Sequence, residues 1–494
     1  MKKTARNILI LALALLAPGR SCSSFLDVEQ IGKNTIGAHF ADVDGLASAG
    51  EGMHRLLLNF YDNRYIRYAD IAGDLLNNNS ASEGDLLLFN YRLQPSDNAS
   101  YPYFVWSSGY EIVTAANNIL YYGPKLYDSF PEQSKTIDKV MAWAYFCRAL
   151  AHFCLCNCYA QPYCYTSDAS HLGVPVIDWV PGFDDSIPRS TVREVYAQVL
   201  SDLNKALSLF ESLGGANKID DCYHVSGPAC KALRARVKLY MQDWDGATTD
   251  AAELMALLPL TPQAQYVDMF RRSQQVKGSE SILRLNAYST TLGLRSLYDP
   301  TALYRFIPNP DVPALYDPGD VRLQLYTYVP ESCEDAIYQG NTYPAVCKYL
   351  AWKSISEEKS RVSDPFVLRV SEMYLIHAEG LVKGSAHDLA GAVDDLKALV
   401  ARALGVAVSA VSMPYATQDD VEQLIIRERK RELGYEGHSL FDMIRCGRGL
   451  DRPASCNAEV RTIAYPDHRF ILPICQLEMT ANDVMIQNEG YEDE

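Results

Sequence analysis

The sequence predicts a mainly α-helical protein, built on tetratricopeptide-like helical hairpins and carrying a loop-rich insertion with a few short strands. Apolar residues recur with a helical period through most of the chain. A helix–turn–helix pattern around Asp243–Gly246 places small Ala residues where the two helices would cross, as helical repeats do. Between about residues 261 and 365 this period gives way to Tyr, Pro, Asp and Gly, which favour loops.

The N-terminus has the pattern of a bacterial lipoprotein signal. Basic residues precede an apolar run from Ile8 to Ala17. About ten apolar residues are too few to span a bilayer but suit the core of a signal peptide. The Ser21–Cys22 junction then predicts a signal peptide over residues 1–21 and acylation of Cys22. The alternative is an ordinary secretory signal with a cysteine nearby.

The mature chain, residues 22–494, is predicted to form one domain with three parts. Residues 22–260 form an N-terminal helical-repeat part, residues 261–365 form the loop-rich insertion, and residues 366–494 form a C-terminal helical part. Long loops on a rigid helical scaffold are where binding residues concentrate. We therefore expect the insertion to form the exposed binding face.

Start and stop signals bound several of the predicted helices. Thr191 and Glu194 have the spacing of a capping box, and Ser226 stands two residues before a proline at the start of another helix. Two further helices, predicted from their apolar periodicity, are expected to end at Gly405 and Gly434, because glycine is common just past a helix C-terminus.

The charge of the chain excludes one class of partner. Its formal net charge is −16 at pH 7, whereas a nucleic-acid-binding surface needs an excess of Lys and Arg. The same acidity argues against a polybasic contact with anionic lipids. Beyond the signal segment no stretch is long and apolar enough to be a transmembrane helix, so the sequence predicts attachment by the lipid alone.

Cysteine is frequent, with 13 residues in the chain. Outside the cytoplasm disulfides are chemically allowed, and Cys222/Cys230, Cys333/Cys347 and Cys446/Cys456 are near enough in sequence to pair. Cys147, Cys154 and Cys158 fall near one helix face in an apolar pattern. There a cysteine acts as a small apolar side chain, so we expect these three in the core and predict no metal site.

A series of short motifs runs in order along the chain. They are Phe25-Leu26-Asp27, Trp106 with Tyr110, Ala116-Asn117, Arg148-Ala149, Gly173-Val174-Pro175, Arg189-Ser190-Thr191-Val192, Asp202-Leu203, Arg369 with Glu372 and Tyr374, Arg427 to Leu433, Glu436-Gly437-His438, Phe441-Asp442, Leu472-Pro473-Ile474 and Gln487-Asn488. Together they resemble the SusD/RagB family over essentially the whole mature chain. Cys475 and Glu489 depart from this pattern, since the family commonly has Pro there.

The resemblance implies a fold and a function. It implies a lipid-anchored outer-membrane protein, exposed at the cell surface, which captures oligomeric nutrient. A TonB-dependent β-barrel transporter of the SusC type would then receive the ligand. The ligand is most often a glycan in this family and a peptide in RagB-like members, and we expect a glycan. An adaptor that binds only proteins and a glycoside hydrolase are the competing functions. No catalytic residue and no cofactor is predicted.

Charged residues cluster in the C-terminal part and are predicted to be structural. Glu428 and Glu432 follow the buried face of a helix, where a charge must be paired to offset its desolvation. Arg445 and two other arginines nearby are candidate partners, and Arg369 with Glu372 has the same character. We expect Arg369, Glu372, Glu432 and Arg445 to form structural ion pairs. No catalytic motif of a known hydrolase class is present.

Candidate ligand contacts come from aromatic and amide residues in loops. Sugar rings stack on aromatic faces, and tyrosine offers a flat face together with a hydroxyl. Trp106, Trp143 and Trp244 lie in helical patterns and are expected in the core. Two loop regions remain, and their candidate ligand-binding residues are Asp74, Asn78, Phe89, Tyr91, Tyr298 and Tyr304.

The predicted lipid anchor gives a direct test. Replacing Cys22 with Ala removes the acylated thiol, so the protein should move from the membrane fraction to the soluble fraction. Detergent-phase partitioning and labelling with a palmitate analogue measure this. A variant that stays in the detergent phase and still takes up the label would contradict the prediction.

Overall fold

The structure is a computed structural model that describes residues 36–182, 184–271, 276–287, 293–300, 303–328, 343–350 and 364–491. Cys22 and the predicted signal peptide lie outside the described residues. The helices confirm a mainly α-helical fold with a few short strands.

Sixteen α-helices are present in the described ranges. They are α1 (Ile36–His39), α2 (Val43–Phe60), α3 (Arg67–Ala72), α4 (Glu83–Phe89), α5 (Tyr101–Tyr122), α6 (Ser134–Tyr159), α7 (Val192–Ser212), α8 (Gly227–Tyr240), α9 (Trp244–Leu257), α10 (Gln263–Arg271), α11 (Arg295–Tyr298), α12 (Val370–Lys383), α13 (Leu389–Leu404), α14 (Gln418–Leu433), α15 (Ser439–Arg445) and α16 (Gln476–Ala481). A π-helical turn, Tyr61–Ile66, joins α2 to α3.

Consecutive long helices pack against one another. Helix α6 lies against both α5 and α7, α8 packs on α7 and α9, and α12 contacts α9, α13 and α14. Helix α2 closes the N-terminal end by packing on α5 and α6. From Val140 onward nearly every side chain of α6 is buried, as expected of a helix that lies inside a helical layer.

Eight short strands form four two-stranded antiparallel sheets in the described residues. The strands are β1 (Leu76–Asn78), β2 (Ser281–Arg284), β3 (Phe306–Pro308), β4 (Thr327–Tyr328), β5 (Tyr343–Pro344), β6 (Phe366–Arg369), β7 (Leu450–Asp451) and β8 (Thr462–Ile463). The pairs are β1–β3, β2–β6, β4–β5 and β7–β8. The first two pairs join the insertion to the N-terminal and C-terminal helical parts.

The predicted helix boundaries are confirmed where the sequence carried a capping signal. Thr191 and Glu194 form both hydrogen bonds of the capping box at the start of α7, and the Ser226 side chain accepts from Ala229 N at the start of α8. Gly405 ends α13 in the left-handed conformation, with φ of 70°. Local hydrogen bonding fixes these ends, so neighbouring residues were enough to predict them.

The cysteines of α6 lie in the core, as predicted. Cys147, Cys154 and Cys158 are at most 1% exposed, and none of them is in a disulfide. Cys222, Cys230, Cys446 and Cys456 are also free thiols, so two of the three suggested pairs are absent. Cys333, a member of the third, lies outside the described residues.

Among the described residues, no helix combines the length and the apolar character needed to cross a membrane.

Candidate functional site

A buried ion-pair network joins the insertion to the C-terminal helices, and Glu432 of α14 is its centre. Arg369 and Arg402 donate to Glu432 Oε1 at 2.6 and 2.7 Å. Arg322 donates to Oε2 at 2.9 Å. These side chains are at most 6% exposed. One carboxylate therefore ties together a strand, two helices and a turn of the insertion.

A second carboxylate, Glu436, completes the network around Arg369. Arg369 donates to both oxygens of Glu436 at 2.9 Å, and Lys348 donates to Oε1 at 2.6 Å. Arg369 also donates to Glu280 at 2.9 Å, next to β2. Lys348 makes two more bonds, to the carbonyls of Glu432 and Gly434. Every charge in the network is thus paired and hydrogen-bonded, which is the condition for burying it.

The network keeps Glu432 and Glu436 ionised. Burial by itself would raise the pKa of Glu432, but the guanidinium groups of Arg402, Arg369 and Arg322 hold it well below its ordinary value. The pKa of Glu436 is likewise lowered, because Arg369 and Lys348 outweigh the effect of burial. A carboxylate fixed in this state cannot act as the proton donor of a glycosidase.

The structure places the other predicted ion-pair residues in buried pairs with different partners. Arg369 and Glu372 are not paired with each other; Glu372 instead receives two 2.6 Å bonds from Arg236. Arg445 donates to both oxygens of Glu379 at 2.8 Å rather than to Glu432. Glu372 and Glu379 lie far in sequence from the arginines that bind them, whereas Arg445 also donates to its neighbour Asp442 at 2.9 Å.

Three of the six candidate ligand contacts are core residues. Phe89 and Tyr298 are fully buried, and Tyr91 is 7% exposed. Tyr298 donates to Asp70 Oδ2 at 2.9 Å. Burial raises the pKa of Asp70 to about 7, although hydrogen bonds from Tyr298 and Gly437 oppose the rise. These rings present no face to a ligand, because they fill the core beneath the loops.

Asp74 lies in a charged cleft. Its carboxylate pairs with Lys430 and accepts from Ser439 Oγ at 2.8 Å. The cleft has a volume of about 400 Å³ and is also lined by His438. Burial and the nearby cations, of which Arg236 has the largest effect, lower the pKa of His438 well below its ordinary value. This histidine is therefore neutral at physiological pH.

The remaining two candidates, Asn78 and Tyr304, meet at the surface where β1 pairs with β3. We call this surface the loop face and define it by Asn78, Asn79, Ser80, Leu303 and Tyr304. Asn79 Nδ2 donates to Tyr304 O at 2.8 Å, and Ser80 Oγ donates to Leu303 O at 2.9 Å. Leu303 is 50% exposed.

The loop face is held rigidly from below. The backbone N–H groups of Asn79 and Ser80 both donate to Arg305 O at 3.0 Å. Arg305 in turn donates to Asp85 Oδ2 at 2.5 Å. Tyr304 Oη donates to Pro344 O at 2.5 Å, so the ring also ties β5 to this surface. The arrangement presents amide and hydroxyl groups beside an apolar side chain.

Sequence reasoning missed Trp179, which is 45% exposed. It lines an open cavity on the helical scaffold that shares no lining residue with the loop face. The signal was present in the sequence, because this tryptophan lies outside any helical period, between Pro175 and Pro181. Of the three tryptophans expected in the core, Trp106 and Trp143 are at most 6% exposed and Trp244 is half-buried.

No group of three or more His, Cys, Asp and Glu side chains within the described ranges is arranged to hold a metal ion.

The fold and its surfaces define a helical-repeat scaffold that displays polar loops for binding. Two family models match the chain: one described as "Starch-binding associating with outer membrane" over residues 25–239, and one described as the SusD family over residues 327–491. The chain belongs to the SusD/RagB family.

Relatives and solved structures agree with this assignment. SusD-like protein P38 from Formosa agariphila is 23% identical over 99% of this chain and 100% of its own length. A SusD superfamily protein from Bacteroides thetaiotaomicron has the same fold, with a TM-score of 0.77, 24% identity and coverage of 90% of this chain and 99% of its own. A laminarin-binding SusD-like protein has a TM-score of 0.68 at 22% identity, over 90% of this chain and 99% of its own.

The Glu432 network predicts a large stability effect. Glu432→Ala leaves Arg322, Arg369 and Arg402 with less compensating charge, and breaking a buried pair typically costs about 3–5 kcal/mol. We expect a clear fall in the free energy of unfolding measured with urea. Glu211→Ala, which changes an exposed carboxylate in α7, is the matched control and should stay within about 0.5 kcal/mol of wild type.

The pH dependence of this effect has a definite sign. The folded-state pKa of Glu432 lies below the unfolded value of about 4.3, so its contribution is complete above that value and is lost as the pH falls through the folded-state pKa. The difference in the free energy of unfolding between wild type and Glu432→Ala should therefore become smaller only at acidic pH. Equal stability of the two proteins at pH 7 would show that the network is not structural.

Proposed function

We propose that this protein captures an oligomeric glycan at the cell surface and holds it without chemical change. The observation that carries the proposal is the pair of family matches, one of them to a model described as starch-binding and associated with the outer membrane. The laminarin-binding relative and a putative sugar-binding protein from Bacteroides vulgatus with a TM-score of 0.77 support the same ligand class.

The loop face is the proposed contact surface for this ligand. Amides and hydroxyls can hydrogen-bond sugar hydroxyl groups, and the ring of Tyr304 can pack against a sugar face. Asn78 ends β1, and the N–H groups of Asn79 and Ser80 directly after it bond to Arg305 O beside β3, so little ordering is needed when a ligand binds. The site is open to solvent, which favours modest affinity and release to a partner.

Passive binding is supported by the state of the motif carboxylates. Glu428, Glu432 and Glu436 are the glutamates of the motifs between Arg427 and His438, and each is at most 3% exposed. A glycosidase needs two carboxylates about 5–10 Å apart across a cleft that admits the sugar. These three instead face arginine and lysine inside the protein.

The proposed cellular setting follows from the family. The protein would be anchored in the outer membrane through the lipid on Cys22 and exposed at the cell surface. A TonB-dependent transporter of the SusC type would receive the glycan. Copurification of such a β-barrel with the detergent-solubilised protein tests this partnership.

An array of oligosaccharides and peptides tests the ligand class. The mature chain should bind at least one oligosaccharide, with laminarin-derived and starch-derived fragments among those printed, and should leave it uncleaved. Binding to peptides alone would favour a RagB-like function, and turnover of a bound glycan would establish a hydrolase. Binding to neither class would contradict the proposal.

A substitution on the loop face tests the contact surface. A stacked ring contributes roughly 0.5–1.5 kcal/mol beyond its buried area, so Tyr304→Ala should weaken binding of an array-positive oligosaccharide about two- to tenfold. Isothermal titration calorimetry measures the change. Tyr415→Ala removes a surface ring of 39% exposure outside the loop face and is the matched control. Equal affinities of Tyr304→Ala and the control would remove the loop face from the ligand site.

A further inference from the structure

Three successive backbone carbonyls, those of residues 177–179, are held by buried side chains of the helical scaffold. Asn117 Nδ2, on α5, donates to Ile177 O at 3.0 Å and to Trp179 O at 2.6 Å. Arg148 Nη1, on α6, donates to Asp178 O at 3.1 Å. With these three carbonyls bonded to helix side chains, residues 177–179 have little freedom to move.

The donors are themselves fixed. Arg148 donates to Asn117 Oδ1 at 2.7 Å and makes a two-bond contact with Asp202 of α7 at 2.8 and 2.7 Å. Asn117, Arg148 and Asp202 are at most 2% exposed. Two parallel bonds between a guanidinium and a carboxylate also fix orientation. Residues from three separate sequence motifs therefore meet in one network that positions the loop.

This rigid loop holds an indole out in solvent. Trp179 is 45% exposed, and across the cavity Tyr121, at the end of α5, is 54% exposed. Burial is the usual outcome for rings of this size, and a contiguous exposed apolar patch can mark a binding site. The scaffold thus holds the Trp179 indole at a fixed position opposite the Tyr121 ring, one face of which is covered by Lys125 Nζ at 3.3 Å from the ring centroid.

The cavity between them has a volume of about 630 Å³, within the range of roughly 300–1,000 Å³ that is typical of ligand sites. Tyr122 and Tyr145 add two more rings to its wall. Asn118, Asp178 and Lys205 bring an amide, a carboxylate and an ammonium group to the lining. Aromatic walls with a few polar groups are the usual composition of a small-molecule site.

Several polar groups of the cavity are available to a ligand. Within the described part of the chain, no hydrogen-bond partner lies near the hydroxyls of Tyr121, Tyr122 and Tyr145, the indole N–H of Trp179 or the carboxylate of Asp178. Asp178 and Lys205 carry opposite charges, and Arg148, which also lines the cavity, is paired with Asp202, so the lining does not select strongly for a charged ligand. Flat apolar faces beside unengaged donors and acceptors suit a neutral sugar chain.

We propose that this cavity, defined by Tyr121, Tyr122, Tyr145, Asp178, Trp179 and Lys205, is a second binding site for a neutral oligosaccharide. The proposal rests on the proposed function and adds to it a site on the helical scaffold, separate in its lining from the loop face. Two sites on one rigid chain would engage two stretches of the same polymer, which raises the overall affinity for long glycans above that for short ones.

Oligosaccharide arrays of matched variants test the site. Wild type, Trp179→Ala, Tyr121→Ala and the control Tyr415→Ala are compared on one array that carries laminarin-derived and starch-derived fragments of increasing length. Both cavity variants change exposed side chains, so they should fold like wild type. We expect Trp179→Ala and Tyr121→Ala each to lose about fivefold or more in affinity for the longest fragments and less for the shortest ones.

The outcomes distinguish failure of the second site from failure of the proposed function. Cavity variants that bind every fragment like wild type would overturn the second site while leaving glycan capture intact. If they instead lose only copurification with a β-barrel transporter, the cavity is a protein contact and the proposal fails. Absence of any oligosaccharide signal from wild type would overturn the proposed function and this site together. Loss of affinity in Tyr415→Ala equal to that in Trp179→Ala would also contradict the assignment.

Discussion

The pairing of Glu432 with three arginines is the interaction on which the rest of the structure depends. Arg322 comes from the insertion, Arg369 from the end of β6 and Arg402 from α13. The described parts of the insertion are short helices, strands and turns, so specific contacts are needed to attach it to the scaffold. Glu432 supplies such a contact at the centre of the molecule, and the fixed position of the insertion in turn supports the β1–β3 pair that carries the loop face.

Buried side chains also hold irregular backbone at two other places. Arg452 donates to the carbonyls of Ile71, Gly73 and Phe89, and Asn117 with Arg148 does the same for residues 177–179. Buried carbonyls outside helices and sheets need donors, and a guanidinium can serve several of them at once. Rigid loops on a helical scaffold are the result, and rigid loops can present ligand groups without a large ordering cost.

Structure that depends on residues near in sequence could be predicted, whereas structure that depends on residues far apart in sequence could not. Helices and their caps follow from neighbouring residues, so Thr191, Ser226 and Gly405 were assigned correctly. The ion pairs are long-range, and Arg322 lies far from Glu432 in sequence, so their partners could not be read from spacing. Tyr298 was placed on the surface because its segment is loop-rich, yet its hydroxyl allows a buried ring to bond Asp70. Trp179 is the opposite case, a large ring that is exposed. Its exposure depends on how its loop is held, which spacing along the chain does not show.

We propose that this rigid scaffold binds a glycan and leaves it intact. The most direct test is a crystal structure of the protein grown with a long laminarin-derived or starch-derived oligosaccharide. We expect an uncleaved sugar chain in contact with the loop face or with the cavity at Trp179, with backbone shifts of about 1 Å or less at the contact residues. A cleaved sugar, or a sugar bound at neither surface, would contradict it.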